Sequence, residues 1–138
     1  MTDYFAEDLL QRLDETPALR SAYLAQKLSA DVNFDFREIS LVFAKVAEEH
    51  RELVEAYEDR NTDRQHFEEE LGDNFFVLVN LCRWVGVDPE ELLRANTRKY
   101  LVRCKFVEDR LKERGDLWNS VSLDEIYQLW KEAKLQGN

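Results

Sequence analysis

Helix-start signals recur along this chain at intervals that leave little room for anything but helices between them. Thr16-Pro17 pairs a capping hydroxyl with proline at a first helical position, which predicts a helix from about Pro17 to about Asp31. A weaker helix is expected before it, through Phe5, Leu9 and Leu13. Asp35 with Glu38 opens a long segment to about Asp59, and Thr62 with Gln65 resembles a capping box for another from Asp63 to about Val85, closed by Gly86. Asp88-Pro89 with Glu91 starts a helix reaching about Glu113, before Gly115, and Ser122 with Glu125 starts the last, through Trp130 to Leu135. No alternating strand pattern competes, and four Gly and two Pro in 138 residues are too few for a turn-rich β-sandwich. The intervening loops are short, so consecutive helices should pack antiparallel. The expectation is an all-α fold, a compact antiparallel bundle with a four-helix core, and a single domain over 1–138.

Charge narrows the function. Asp and Glu number 29 against 19 Lys and Arg, a net charge of -10, which argues against a binder of nucleic-acid polymers because that role needs a dominant cationic face. No apolar run is long enough to span a membrane. Cys82 and Cys104 form no CxxC pair and the opening MTDYFAEDLL is unlike a signal peptide, so a cytoplasmic protein with reduced thiols is expected.

Four carboxylates fall where a core should be. With successive residues about 100° apart, Glu49 lies on the arc of Ile39, Val42, Val46 and Leu53, with Glu52 one turn along; Glu48 and Arg51 face away. In the next long helix Glu70 sits amid Phe67, Val77, Leu78, Leu81 and Trp84, with Asp73 one turn on, and that helix is apolar almost all round, so it should be central. Two i, i+3 carboxylate pairs aimed into one interior would repel each other and lose hydration unless protonated or bound to cations. The competing reading is a solvated acidic face; for pairs that do enter the interior a divalent metal resolves the conflict, all-oxygen ligation favours Mg²⁺, Mn²⁺ or Ca²⁺ over zinc, and the lack of two Glu-x-x-His repeats weighs against a di-iron centre.

The stretch from Arg94 to Lys105 supplies Arg94, Arg98, Lys99, Arg103 and Lys105 with no acidic residue, and Lys99 and Arg103 share a helix face. Carboxylate-held metal together with fixed cations is what a polyphosphate substrate requires. A solvated basic face is the competing reading of the same spacing. Asn74 and Asn80 flank the carboxylate face and read as buried, hydrogen-bonded amides.

Lys45-Val46-Ala47-Glu48-Glu49-His50-Arg51-Glu52 followed by Glu70-Leu71-Gly72-Asp73 resembles the EExxE and ExxD signature of the MazG-type all-α nucleoside triphosphate pyrophosphohydrolases. The likeness continues through Asn80-Leu81-Cys82-Arg83, Lys99-Tyr100-x-x-Arg103 and Leu123-Asp124-Glu125-x-x-x-Leu129-Trp130-x-x-Ala133-Lys134, covering about 17–135. Thr97 stands where relatives commonly carry Asn.

The resemblance implies a dimerising helical bundle that binds Mg²⁺, with Mn²⁺ as a possible substitute, and hydrolyses a (deoxy)nucleoside triphosphate to the monophosphate and pyrophosphate. It places metal binding at Glu49, Glu52, Glu70 and Asp73, the four positions the helical periodicity selects. It assigns Lys99 and Arg103 to phosphates and Trp130 and Lys134 to the nucleotide, and Glu49 or Glu52 can double as general base. The rivals are a phosphoribosyl-ATP pyrophosphatase or dUTPase-like relative on the same fold, and a non-catalytic nucleotide-binding helical dimer.

Overall fold

A computed structural model describes residues 4–137, and about 80% of the chain is helical, with no strand among the described residues. Six α-helices follow one another: α1 Ala6–Arg12, α2 Ala18–Asp31, α3 Ile39–Glu58, α4 Arg64–Val85, α5 Pro89–Glu113 and α6 Leu123–Leu135. Single 3₁₀ turns, Leu13–Glu15 and Trp118–Ser120, precede α2 and α6. The all-α expectation holds. No helix is long and apolar enough to cross a membrane among the described residues.

Two compact units divide the chain, one ending at Glu90 and the other beginning at Glu91. In the first, α4 packs along both α3 and α2, and α1 lies against α2. Its buried apolar residues include Val42 and Ala56 on α3 and Val77 and Val79 on α4, joined by three buried polar ones, Gln26, Glu49 and Asn80. A small core that spends three buried positions on polar groups must satisfy them or use them. The expectation that α4 is central is met only on one side. Two helices flank it, yet Phe75 is 59% exposed and Leu71 and Leu78 also face outward, as do Phe43 and Val54 of α3.

Helix ends follow local chemistry with three corrections. Asp63, not Thr62, caps α4: its Oδ1 accepts from the His66 N–H at 3.1 Å, while the Thr62 hydroxyl donates to the Asp59 carbonyl. Thr16 does not cap α2; its hydroxyl donates back to the Arg12 carbonyl, and Pro17 stands at the cap. Asp35 does not open α3, which begins at Ile39, and its carboxylate instead binds the Phe36 N–H and the Arg83 guanidinium. Ser122 caps α6 as expected, accepting from the Glu125 N–H. The C-terminus of α2 closes through Asn33, whose φ of 67° is left-handed, with Phe34 N–H on the Ser29 carbonyl and Asn33 N–H on the Ala30 carbonyl. Asn tolerates that conformation better than most side-chain-bearing residues. Gly86 ends α4 the same way at φ 74°.

In the second unit the buried residues include Val107 and Leu111 on α5 and Ala133 on α6. Tyr100 of α5 and Trp130 of α6 meet with ring centroids 5.3 Å apart, and Arg114 reaches Glu125 at 3.8 Å.

Candidate metal centre

The first unit builds the site from two neighbouring helices. α3 presents Glu49 and Glu52, α4 presents Glu70 and Asp73, and each pair sits one turn apart because a spacing of three keeps side chains on one face. Carboxylate oxygens of Glu49, Glu70 and Asp73 all lie within 4.8 Å of one another. Glu49 is only 6% exposed, Glu70 is half-buried and Asp73 is open to solvent. Glu52 is not part of this trio, although it stands close enough to feel it. Loss of hydration, then the charges of Glu49 and Glu70, hold its carboxyl above the ordinary range.

What the trio lacks is as informative as what it has. Lys45 lies 3.3 Å from Glu49 Oε1 and 3.2 Å from Glu48, and these two carboxylates push its ammonium upward. Glu49 Oε2 and Glu70 Oε2, in contrast, are buried with no hydrogen-bond partner. Two buried carboxylate oxygens without donors are costly as anions, and one lysine does not balance three converging carboxylates. A hard divalent cation would satisfy them with oxygen ligands, and the residues fit such a group. Metal binding at this cluster is therefore within its chemistry.

The two helices are fixed to each other by an amide. Asn74 Nδ2 donates to the backbone carbonyl of Glu49 at 2.9 Å and to that of Glu70 at 2.8 Å, one donor group serving both carboxylate-bearing helices. Asn74 is thus a satisfied amide, and its partners make it a positioning residue. His66, half-exposed one turn before Glu70, comes to 3.9 Å from Glu70 Oε1. Their i, i+4 spacing is the signal that could have paired them.

The remaining expected site residues belong to the second unit. Lys99 and Arg103, with Asn96, Thr97 and Tyr100, line an open depression along α5. Thr97 turns its hydroxyl back to the Leu93 carbonyl at 2.9 Å. Trp130 is half-buried against Tyr100, and Lys134 is exposed beside buried Ala133.

Comparison with known proteins places these residues in context. Residues 24–108 match the family model of the MazG nucleotide pyrophosphohydrolase domain, more than half of the chain and including all four carboxylates. The chain is 36% identical over 118 residues to the nucleoside triphosphate pyrophosphohydrolase/pyrophosphatase MazG of Thermotoga maritima, covering 86% of this chain and 44% of that protein. It is 34% identical over 120 residues to the nucleoside triphosphate pyrophosphohydrolase of Escherichia coli K12, covering 87% of this chain and 46% of the relative. A 65-residue match at 38% identity links it to the uncharacterized protein YabN of Bacillus subtilis, over 47% of this chain and 13% of that one. The chain thus spans less than half the length of the first two relatives.

Proposed function

From membership of the MazG nucleotide pyrophosphohydrolase family, to which this chain belongs, we propose that it hydrolyses nucleoside triphosphates to nucleoside monophosphate and pyrophosphate with the help of Mg²⁺. The observation that carries this reading is the convergence of Glu49, Glu70 and Asp73 with two buried oxygens left unpartnered.

Glu49, Glu70 and Asp73, with Glu52 beside them, would hold the cation. A divalent cation such as Mg²⁺ or Mn²⁺ held there would supply charge neutralisation for the phosphates and acidify water beside them. Water oxygen forms the new bond to the α phosphorus as the bond to the bridging oxygen of the β phosphate breaks, and pyrophosphate leaves. Glu49 Oε1 is engaged by Lys45, which leaves the Glu52 carboxylate the better acceptor for the proton that the attacking water gives up. Lys99 and Arg103 are assigned to the substrate phosphates, and Trp130 and Lys134 to the nucleoside, on the family resemblance. Asn74 does no chemistry; it keeps the two carboxylate helices in register.

A homodimer belongs to the same reading. Phe75, Leu71 and Leu78 on α4 and Phe43 and Val54 on α3 are more apolar surface than a lone small chain leaves uncovered without purpose. A cytoplasmic setting agrees with the free thiols Cys82 and Cys104.

Hydrolysis in ¹⁸O-labelled water tests the reaction. The label should enter the nucleoside monophosphate, and EDTA should stop turnover. Label in released orthophosphate would instead mean attack at the terminal phosphate and a different enzyme. No turnover of any triphosphate by folded, Mg²⁺-supplied protein would favour a non-catalytic nucleotide-binding dimer.

A further inference from the structure

Lys45 is drawn toward two carboxylates that belong to different settings. With residues about 100° apart on α3, it lies one turn before Glu48 and Glu49 and between them in angle, about 60° from the first and about 40° from the second. Its ammonium stands 3.2 Å from Glu48 Oε2 and 3.3 Å from Glu49 Oε1. The Glu49 side chain is 8% exposed and belongs to the trio whose oxygens converge within 4.8 Å, whereas the Glu48 side chain is 43% exposed and lies outside that trio. One lysine thus bridges a buried site carboxylate and a solvated neighbour.

Ordinary helix pairing does not account for this arrangement. A lysine four residues before a glutamate is the less favourable order for a helix pair, and a pair with one member buried acts through the charge it balances rather than through helix stability. What Lys45 supplies is a positive charge against converging carboxylates, where lost hydration and mutual repulsion are otherwise costly. A divalent cation supplies the same thing. Ammonium and dication are therefore competitors for Glu49, because holding both on one carboxylate brings like charges within a few ångströms. The means of relief lies next to it: Nζ sits on a flexible four-carbon stem and already donates a hydrogen bond to Glu48. Shifting onto Glu48 alone keeps the ammonium paired while Glu49 turns to the cation.

We propose that Lys45 is an internal counter-ion of the metal centre, held by Glu49 in the absence of the cation and handed to Glu48 when the cation arrives, so that the lysine sets how tightly the site takes a divalent cation. This rests on the metal-centre reading above and deepens it with a regulator of affinity. The same charge that stabilises the cation-free fold weakens cation binding. Glu49 is engaged either way, by ammonium or by cation, so the proton-accepting role stays with Glu52.

Mn²⁺ alone, without nucleotide, is the probe: its binding to the full chain is titrated by electron paramagnetic resonance, and melting is followed in EDTA. Lys45→Met keeps the stem and removes the charge. It should bind Mn²⁺ about tenfold tighter than wild type, the order expected for a unit charge a few ångströms from a dication even at the dielectric of water, and should melt a few degrees lower in EDTA. Glu48→Gln should bind Mn²⁺ about threefold or more weaker, and that effect should largely vanish in the Lys45→Met background, because it acts through the lysine. Lys45→Gln serves if Lys45→Met does not fold. Unchanged Mn²⁺ affinity in the folded lysine variants would reduce Lys45 to a surface pair, and weaker binding would make it a support that orients Glu49; either overturns the proposal. So does a Glu48→Gln effect that persists without the lysine, which would be loss of nearby negative charge alone. If wild type binds no Mn²⁺, the metal-centre reading falls as well. If the variants respond as stated but no triphosphate is hydrolysed, the hydrolase reading falls and the counter-ion stands.

Discussion

Asn74 on α4 holds Glu49 on α3 by its backbone: the side-chain amide donates to the Glu49 carbonyl at 2.9 Å across the helix pair. The same nitrogen bonds the Glu70 carbonyl one turn back on its own helix. Side chains at a metal centre are only as well placed as the backbones beneath them, and here one amide sets two. Asn74→Leu, similar in size but without donors, should cost about 1–3 kcal/mol of stability in chemical denaturation. It should also weaken divalent-cation binding about tenfold or more, as loss of an orienting contact behind metal ligands does. Unchanged cation affinity in the folded variant would show that the helices keep register without it.

Clustered carboxylates should make the cation-free protein less stable than its packing allows. Glu70→Gln removes one of three converging charges and leaves a side chain of the same size. In EDTA the variant should melt above wild type, by a few degrees for a difference of about 1 kcal/mol in a chain of this length. Adding Mg²⁺ should raise the melting temperature of wild type more than that of the variant. Equal responses to Mg²⁺ would place the cation elsewhere.

Asp35 and Arg83 form a largely shielded ion pair at 2.6 Å, and its contribution depends on pH. Burial pushes the Asp35 carboxyl up, but the Arg83 hydrogen bond, the Phe36 N–H and the Arg83 charge outweigh that and leave it below its ordinary 3.8. A lowered carboxyl stabilises the fold fully above that ordinary value, and the contribution is lost as pH falls through the lowered one. Arg83→Met should therefore cost about 1–3 kcal/mol at neutral pH, with the difference from wild type shrinking as pH falls below the ordinary 3.8 and through the lowered value. Urea titrations from pH 7 downward measure both.

Gly86 closes α4 in the left-handed conformation, and a Cβ placed there would meet nothing within 4 Å. The cost of Gly86→Ala is then one of backbone conformation alone, about 1–2 kcal/mol, with turnover unchanged. A larger loss would point to a contact that the isolated chain does not make.

Much of this arrangement is legible in the sequence because one rule serves fold and site alike. Glu49 and Glu70 betray themselves by falling on apolar arcs, where a solvated carboxylate has no reason to be. Gln26 lies on the stripe of Leu19, Tyr23 and Ala30 in the same way, but a neutral amide on a helix face is a weaker contradiction than a carboxylate and passes unnoticed. Asp35 is misread as a cap because its partner, Arg83, lies 48 residues away. Thr62 and Asp63 are adjacent capping residues, and only backbone geometry decides between them. The exposed apolar side of α4 follows from the same periodicity that suggested a central helix: the pattern says the face is to be covered, not by which chain.

The proposed function requires the carboxylates of α3 and α4 to support cation-dependent hydrolysis of a triphosphate. Pyrophosphate release from a panel of NTPs and dNTPs, with Mg²⁺ and with EDTA, for wild type beside Glu49→Gln and Asp73→Asn, tests it most directly. Wild type should release pyrophosphate with Mg²⁺ and not with EDTA, and each variant should lose at least about a hundredfold while keeping its helical content, as expected when groups needed in the transition state are removed. Release that continues in the folded variants, or that is indifferent to EDTA, would contradict it.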